Sequence, residues 1–206
     1  MKASLRFVIV LVLVLGVFGQ ATTASAAEKF SWKGPGAEAF FSSSDGCVLT
    51  EVSLFSRDET FKNPPGRPSE GSFVSLSIFQ YDFCGDQLLM DASGFTWIGT
   101  SDLQVARRLA GATLNTTASV YNWPSDTWHD VYIDLSWTAT GPAVRQSSSF
   151  RSHEPECKYH SRFKGTFRPA DVSGTVSLDS TNLTPETGWG SVFDSQGSDQ
   201  FIGCGF

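Results

Sequence analysis

The sequence predicts an all-β protein, an antiparallel β-sandwich or jelly roll of about ten strands. Charged residues make up only 17% of the 206 residues, while glycine and phenylalanine are frequent. Apolar and polar residues alternate with a period of two in successive segments, and turn residues separate those segments. No linker or low-complexity tract divides residues 27–206, so they are predicted to form one domain.

The first 26 residues have the three parts of a cleaved secretory signal peptide. A cationic start with Lys2 and Arg6 precedes the apolar run Phe7–Phe18, and the small residues Ala24–Ala26 follow it. The apolar run is shorter than the roughly 20 residues that a transmembrane helix needs, so no such helix is expected. Residues 27–206 are therefore expected to be secreted, or periplasmic if the source is a Gram-negative bacterium.

The predicted mature chain is acidic. Lys2 and Arg6 are the only charged residues of the predicted signal peptide, so 13 of the 15 basic residues and all 21 acidic residues remain after cleavage. The formal net charge is then 13 − 21 = −8. A negative charge of this size disfavours nonspecific binding to nucleic acids, and no nucleic-acid partner is expected.

The first part of the predicted domain alternates strand patterns with turn signals. The strongest turn signal is Asn63–Pro68, which contains three prolines and a glycine. Ser101–Ala110 is the one helix candidate, because Ser101 suits an N-cap and Gly111 suits the end of a helix. The residues from Leu103 to Leu109 also alternate, so a strand is the alternative there. The strands predicted before this segment lie near 37–42, 47–56, 72–83 and 87–99.

Two later segments, 112–120 and 131–139, are predicted to pair as a hairpin. An antiparallel register in which paired residue numbers sum to 251 places Val120 opposite Val131 and Leu114 opposite Trp137. All of these side chains then share one face. The further predicted strands lie near 143–151, 158–168, 171–178 and 190–204. A glycine-containing turn is expected at 194–199, which lacks the acid density of an EF-hand calcium loop.

The four cysteines are expected to form two structural disulfides. A hairpin folded at Asn63–Pro68 would bring Cys47 opposite Cys84, which leaves Cys157 to pair with Cys204. Redox and zinc sites need close spacing such as C-x-x-C, which is not present in this sequence. No metal and no cofactor are therefore expected.

The candidate binding site is the cationic segment 158–168. Strand geometry sends alternate residues to one side, and the wider segment 142–168 has six basic residues against two acidic ones, a net charge of +4. Such a face is suited to an extended polyanion, for example a sulfated or phosphorylated glycan. The alternative is an ordinary solvated face whose charges pair with neighbouring acids such as Asp134 or Asp171. The candidate residues are Lys158, His160, Arg162, Lys164 and Arg168, to which the wider segment adds Arg145, Arg151 and His153.

The aromatic loop Tyr121–Trp128 is the second candidate contact. Trp123 and Trp128 at a hairpin tip have flat apolar faces that would stack on sugar rings. The alternatives are that these side chains cover the end of the core or form an oligomer contact.

No motif in the sequence indicates catalysis. Neither a G-x-S-x-G elbow nor an H-E-x-x-H helix motif is present. His129 and Asp130 are neighbours, and adjacent residues of a strand point to opposite faces. The sequence therefore favours a secreted, non-catalytic binding or surface protein for polyanions or carbohydrate. The alternatives are an extracellular hydrolase whose site the sequence does not reveal, and a structural or assembly subunit of a surface layer or matrix.

Overall fold

The structure, a computed structural model, describes residues 28–62, 70–154, 157–185 and 187–202. The predicted signal peptide, residues 1–26, lies outside the described residues. Within the described ranges, no helix has the length and apolar character to span a membrane.

Nearly all of the described chain is antiparallel β-sheet, and a short 3₁₀ helix (Arg107–Leu109) follows the fifth strand. The strands are β1 (Glu28–Ser44), β2 (Val48–Lys62), β3 (Glu70–Asp82), β4 (Gln87–Ile98), β5 (Leu103–Val105), β6 (Gly111–Asn122), β7 (Thr127–Ala139), β8 (Val144–Glu154), β9 (Cys157–Leu178), β10 (Thr181–Asn182) and β11 (Thr187–Ile202).

The all-β antiparallel prediction is confirmed, and the eleven described strands belong to one continuous sheet instead of the two separate sheets of a sandwich. Eight of them close on themselves in the order β1-β2-β3-β4-β6-β7-β9-β11. The closure depends on β9, which is long enough to pair with β11 along one edge and with β7 along the other. The short strands β5 and β10 add to β6 and β9, and β8 pairs with β9 beyond the end of β7.

The ring encloses the hydrophobic core. Side chains alternate along each strand, and the apolar set of each points inward. The Nε1 of buried Trp137 donates a 2.7 Å hydrogen bond to the carbonyl oxygen of Glu38, so this indole N–H is satisfied within the core. The buried residues of β6, β7 and β9 include Ala112, Leu114, Ala118, Val120, Val131, Ile133, Leu135, Trp137, Val172, Val176 and Leu178.

The β6–β7 hairpin forms as predicted, but its register differs by two residues. Paired residue numbers sum to 249, so Val120 lies opposite His129 and Ala118 opposite Val131. The strands continue to Asn122 and Thr127, which leaves a four-residue turn in place of the longer predicted loop. A shift of two residues keeps every side chain on its predicted face.

The predicted helix at Ser101–Ala110 is wrong, and the alternative of a strand is correct for part of it. Leu103–Val105 pairs with β6, which places Leu103 in the core. The following residues form the short 3₁₀ helix, in which Arg108 and Leu109 have φ angles of 57° and 56°. These left-handed conformations cannot continue an α-helix.

β1 and β9 are much longer than predicted. β1 begins at Glu28, and the predicted segments 158–168 and 171–178 are one strand that passes through Pro169. The turn predicted at 194–199 does not form, because these residues are part of strand β11. Gly197 leaves room for the Trp32 ring, because a Cβ at this position would lie 2.3 Å from that ring.

Beyond the ring, the strands continue as an open sheet with β8 at one edge and the end of β4 at the other. One face of this open sheet continues the positions that point into the ring, and the opposite face continues the outside of the ring. The open sheet consists of residues 28–36, 57–62, 70–73, 95–98, 144–154, 157–169 and 194–202.

The predicted disulfide between Cys47 and Cys84 is formed. The backbone N–H of Phe83 donates to the carbonyl oxygen of Cys47 at 2.8 Å, which extends the β2–β3 ladder to the disulfide. Cys157 is also disulfide-bonded. Its predicted partner, Cys204, lies outside the described residues.

Candidate functional site

The cationic side chains of β8 and β9 lie on one face of the open sheet. Residues directly opposite each other in an antiparallel pair share a face. Arg151 lies opposite His160, and His153 lies opposite Lys158. Arg162 and Lys164 follow on the same side of β9 because they keep the period of two. The hairpin between β8 and β9 therefore brings the wider predicted segment together.

The structure adds three cations that sequence reasoning missed. Lys29 of β1 lies in one row with His160, through Gln200 of β11. Lys33 and Lys62 belong to the same face in the following rows. The alternation of Lys29 and Lys33 with aromatic residues is the one sign of this arrangement in the sequence. We call this surface the cationic face; it comprises Lys29, Lys33, Lys62, Arg145, Arg151, His153, Lys158, His160, Arg162 and Lys164.

The lysines and arginines of the cationic face are exposed, and none forms an ion pair with a described carboxylate. Acids also lie on the same face: Glu70 shares a row with Lys33, and Asp194 shares a row with Arg145. Among the described residues, no carboxylate oxygen lies within 4.0 Å of a lysine or arginine nitrogen of the cationic face. The ion pairs that the described residues form are Arg57–Glu59 and His129–Asp179, which both lie outside this face. The predicted neutralising acids lie elsewhere. Asp134 faces outward on β7 opposite Asn115, and Asp171 points to the other side of β9.

A shallow cavity of about 180 Å³ lies at the β8–β9 end of the cationic face. Its lining combines cationic groups with the side-chain amide of Gln200, so it offers hydrogen-bond donors to an anionic group. The lining residues are Arg151, His153, Lys158, Tyr159, His160, Gln200 and Ile202.

The pKa of His160 responds to the positive charges around it. Partial burial, together with the cations Arg151, Arg162 and Lys29, lowers the pKa of His160 below its ordinary value of 6.5. Arg162 Nε donates to His160 Nε2 at 3.4 Å, a contact that requires the neutral imidazole. Lys158 is the remaining cation nearby on the same strand.

We expect the pKa of His160 to rise toward 6.5 when Arg151 is replaced by glutamine, and to rise in the wild type when heparin binds. In the unfolded chain the pKa of His160 keeps its ordinary value of 6.5, so the unfolded chain takes up the proton first as the pH falls. Neutral His160 therefore costs no stability above pH 6.5, and stability falls as the pH drops through 6.5 toward the lower folded value. An NMR titration of the histidine Hε1 resonances measures the pKa of His160 in the wild type and in the Arg151→Gln variant. An unchanged titration in Arg151→Gln would contradict it.

Arg168 has a different role from the rest of the predicted set. Its Nε donates to the carbonyl oxygen of Gly141 at 2.8 Å, and its guanidinium reaches the carbonyl oxygen of Arg108 at 3.5 Å. These contacts hold the connection between β7 and β8 against β9, so this side chain is engaged by the protein's own backbone.

Behind the cationic face lies a buried charge pair. Arg57 and Glu59 are 6% and 5% exposed, and Arg57 Nη1 lies 2.6 Å from Glu59 Oε1. Arg57 Nη2 also donates to Ser195 Oγ, whereas its Nε has no hydrogen-bond partner in the part of the chain that the structure describes. Burial lowers the pKa of Arg57, and Glu59 opposes that shift. Sequence reasoning missed this pair because three consecutive charged residues, Arg57, Asp58 and Glu59, usually indicate an exposed segment.

Aromatic rings enclose the Arg57 guanidinium. Its Cζ lies 4.2 Å from the Trp32 ring centroid, and the rings of Phe55 and Phe193 follow at 5.4 and 5.3 Å. Cation–π contacts of this kind are strongest where water is excluded. The back of the open sheet is therefore an aromatic layer around one neutralised pair.

The predicted aromatic loop is an exposed hairpin tip. Trp123 and Trp128 are 64% and 68% exposed, so neither side chain covers the core. Val131, near this tip, pairs with Leu178 at the far end of β9 from Lys164. Leu178 and Lys164 are roughly 45 Å apart along β9 at 3.3 Å per residue. The two predicted contact surfaces are therefore separate.

The groups that resemble catalytic or metal sites have structural explanations. His129 Nε2 hydrogen-bonds Thr127 Oγ1 at 2.8 Å, while Asp130 accepts from Ser119 Oγ on the other face. In the described part of the chain, Cys47, Asp82 and Cys84 bring potential metal-ligand atoms within 4.8 Å of one another. Both sulfurs belong to the disulfide, so they offer no thiolate.

No protein-family model matches the chain, and no curated protein sequence matches it. Among solved structures, the chain is similar to the 2.00 Å crystal structure of a provisionally assigned AttH protein from Nitrosomonas europaea, with a TM-score of 0.29 and 11% sequence identity. The similarity covers 86% of this chain and 52% of that chain, so this chain spans about half the length of its neighbour. A similarity this low carries no functional argument.

Proposed function

We propose that the protein is a secreted, non-catalytic binding protein that holds an extended polyanion, such as a sulfated or phosphorylated glycan, on the cationic face. The observation that carries the proposal is the convergence of lysines and arginines from β1, β2, β8 and β9 on one exposed face. None of these side chains has a carboxylate within 4.0 Å among the described residues.

The dimensions of the cationic face favour an extended ligand. Neighbouring strands lie about 4.8 Å apart, so the five strands from β8 to β2 span roughly 19 Å. Lys158 and Lys164 are roughly 20 Å apart along β9 on the same scale. A single small anion would contact only a corner of this surface, whereas a chain with repeated anionic groups would contact several cations at once.

The middle strand of this face supplies uncharged donors. β11 runs between the cations of β9 and β1 and places Gln196, Ser198 and Gln200 on the same face. Amide and hydroxyl groups donate hydrogen bonds to sulfate, phosphate or sugar oxygens. Charge-assisted bonds from the flanking arginines and lysines would supply most of the affinity.

The test is retention of the purified, oxidised protein on immobilised heparin, a sulfated glycan, during a sodium chloride gradient. We expect salt-sensitive retention of the wild type and earlier elution of the Arg162→Gln/Lys164→Gln variant. On the scale known for nucleic acids, each lost contact reduces the slope of log affinity against log salt by about 0.7 to 0.9, so we expect the loss of two contacts to reduce it by about 1.5.

The matched control is Thr113→Glu/Thr117→Glu, which lowers the net charge by the same two units. Thr113 and Thr117 are exposed on the outer face of β6, away from the cationic face. The control should elute close to the wild type. Equal elution of both variants would show that only net charge matters, and a folded wild type that heparin does not retain would overturn the proposal.

A further inference from the structure

We infer that the tip of the β6–β7 hairpin is a second binding site, independent of the cationic face, for a neutral carbohydrate. We call it the tryptophan tip; it comprises Tyr121, Trp123 and Trp128 with the turn residues between them. Three features support the inference: the rigidity of the tip, its repetition in the neighbouring hairpin and its charge.

The tryptophan tip is held in one conformation by its own contacts. Tyr121 packs between the two indoles, with ring centroids 4.8 Å from Trp123 and 5.4 Å from Trp128. The Tyr121 hydroxyl donates to Asp126 across the turn, and this hydrogen bond raises the pKa of Tyr121. Exposed aromatic faces that are already ordered lose little conformational entropy when a ligand stacks on them.

Two further hydrogen bonds support the turn that carries the tryptophans. Asn122 Nδ2 donates to Ser125 Oγ at 2.8 Å, and the N–H of Trp123 donates to the carbonyl oxygen of Asp91 at 3.0 Å. The second bond joins the tip to β4 of the adjacent hairpin. The two tryptophans are therefore presented on a supported turn, which suits recognition of a flat ligand face.

The neighbouring β3–β4 hairpin repeats this arrangement. Tyr81 donates its hydroxyl to Asp86 across another four-residue turn, and Phe83 packs on Tyr81 at 5.1 Å. Asp86 and Asp126 both adopt positive φ angles, 50° and 56°, at the last turn position. Phe83 is 62% exposed, so the end of the ring carries two adjacent exposed aromatic tips.

The charge of these tips selects the ligand class. Residues 79–98 and 111–139, which form the two hairpins, contain no lysine or arginine, whereas acidic residues are frequent there. A polyanion or an anionic lipid surface would be repelled, and a two-fold contact with a second copy would bring the same acids together. A neutral sugar instead offers apolar ring faces to the indoles and hydroxyl donors to the carboxylates. The acids are Asp82, Asp86, Asp91, Asp126, Asp130 and Asp134.

The test is retention of the protein on insoluble cellulose and on chitin in about 1 M sodium chloride, where the Debye length of about 3 Å screens the cationic face. We expect the wild type to be retained on at least one of them. Replacement of both Trp123 and Trp128 by alanine should weaken binding at least tenfold, the scale of one aromatic stacking contact. The Trp189→Ala variant is the matched control, since Trp189 is 60% exposed and packs on Phe40 outside the tip.

The outcomes separate this site from the proposed function. The Trp123→Ala/Trp128→Ala variant should keep wild-type heparin elution, and Arg162→Gln/Lys164→Gln should keep polysaccharide binding. No retention of the folded wild type on either polysaccharide would overturn the inference, as would equal losses in the tip variant and the Trp189 control. Self-association on sedimentation, or flotation with phosphatidylcholine vesicles, would also overturn it if the tip variant abolished that behaviour.

Discussion

Replacement of Arg57 by methionine is expected to lower the free energy of unfolding by about 3–5 kcal/mol, the usual cost of removing one partner of a buried ion pair. Glu59 would remain 5% exposed with no cation at 2.6 Å to balance its charge. The variant would also lose the cation–π contacts with Trp32. Guanidinium unfolding, followed by the far-ultraviolet circular dichroism of the sheet, measures the change.

The double variant Arg57→Met/Glu59→Leu separates the charge effect from the packing effect. It removes both charges and keeps apolar volume, so it should recover most of the lost stability. The unpaired Nε of Arg57 strengthens this expectation, because the wild-type pair already leaves one buried donor unsatisfied. A single variant that costs less than about 1 kcal/mol, or a double variant no more stable than the single, would contradict the argument.

The position of this pair links stability to function. Arg57 and Glu59 lie on β2 where the ring passes into the open sheet, on the face opposite the cationic side chains. Among the described residues, the pair packs against the aromatic rings on the back of the open sheet, outside the hydrophobic core of the ring. Loss of the pair should therefore loosen the cationic face before it affects the tryptophan tip.

Local pattern was sufficient to predict the parts of the fold in which paired segments are close in the sequence. The alternation in β6 and β7 predicted their buried faces, and the midpoint at Asn63–Pro68 predicted the disulfide between Cys47 and Cys84. The register error of two residues arose because the tip turn is closed by its own side-chain hydrogen bonds. Such bonds have no periodic signature.

Contacts between distant segments could not be predicted in the same way. Lys29 joins the cationic face only because β1 pairs with β11 and β11 pairs with β9, which places it in the row of Gln200 and His160. Gly197 indicated a turn by composition but is a packing position under Trp32. Seven of the ten residues of the cationic face were therefore predictable from the hairpin of β8 and β9. The other three depended on the pairing of β9 with β11, of β11 with β1 and of β1 with β2.

Removal of the Cys47–Cys84 disulfide by the double substitution to alanine is expected to lower the free energy of unfolding by about 4 kcal/mol, because the bond restricts a loop with a sequence separation of 37 in the unfolded chain. The ladder between β2 and β3 would remain, since Val48 pairs with Asp82 without the bond. Urea unfolding of the otherwise oxidised protein isolates this disulfide, whereas a reductant would break every disulfide in the chain.

The denaturant dependence distinguishes the mechanism from the loss of a native contact. If the disulfide acts on the unfolded state, the variant's unfolded chain is more expanded and the m-value should increase together with the loss of stability. The folded cationic face lies far from the bond, so heparin elution should not change. A loss below about 1 kcal/mol would show that the hairpin is already restricted in the unfolded chain. A full loss with an unchanged m-value would place the stabilisation in the folded state.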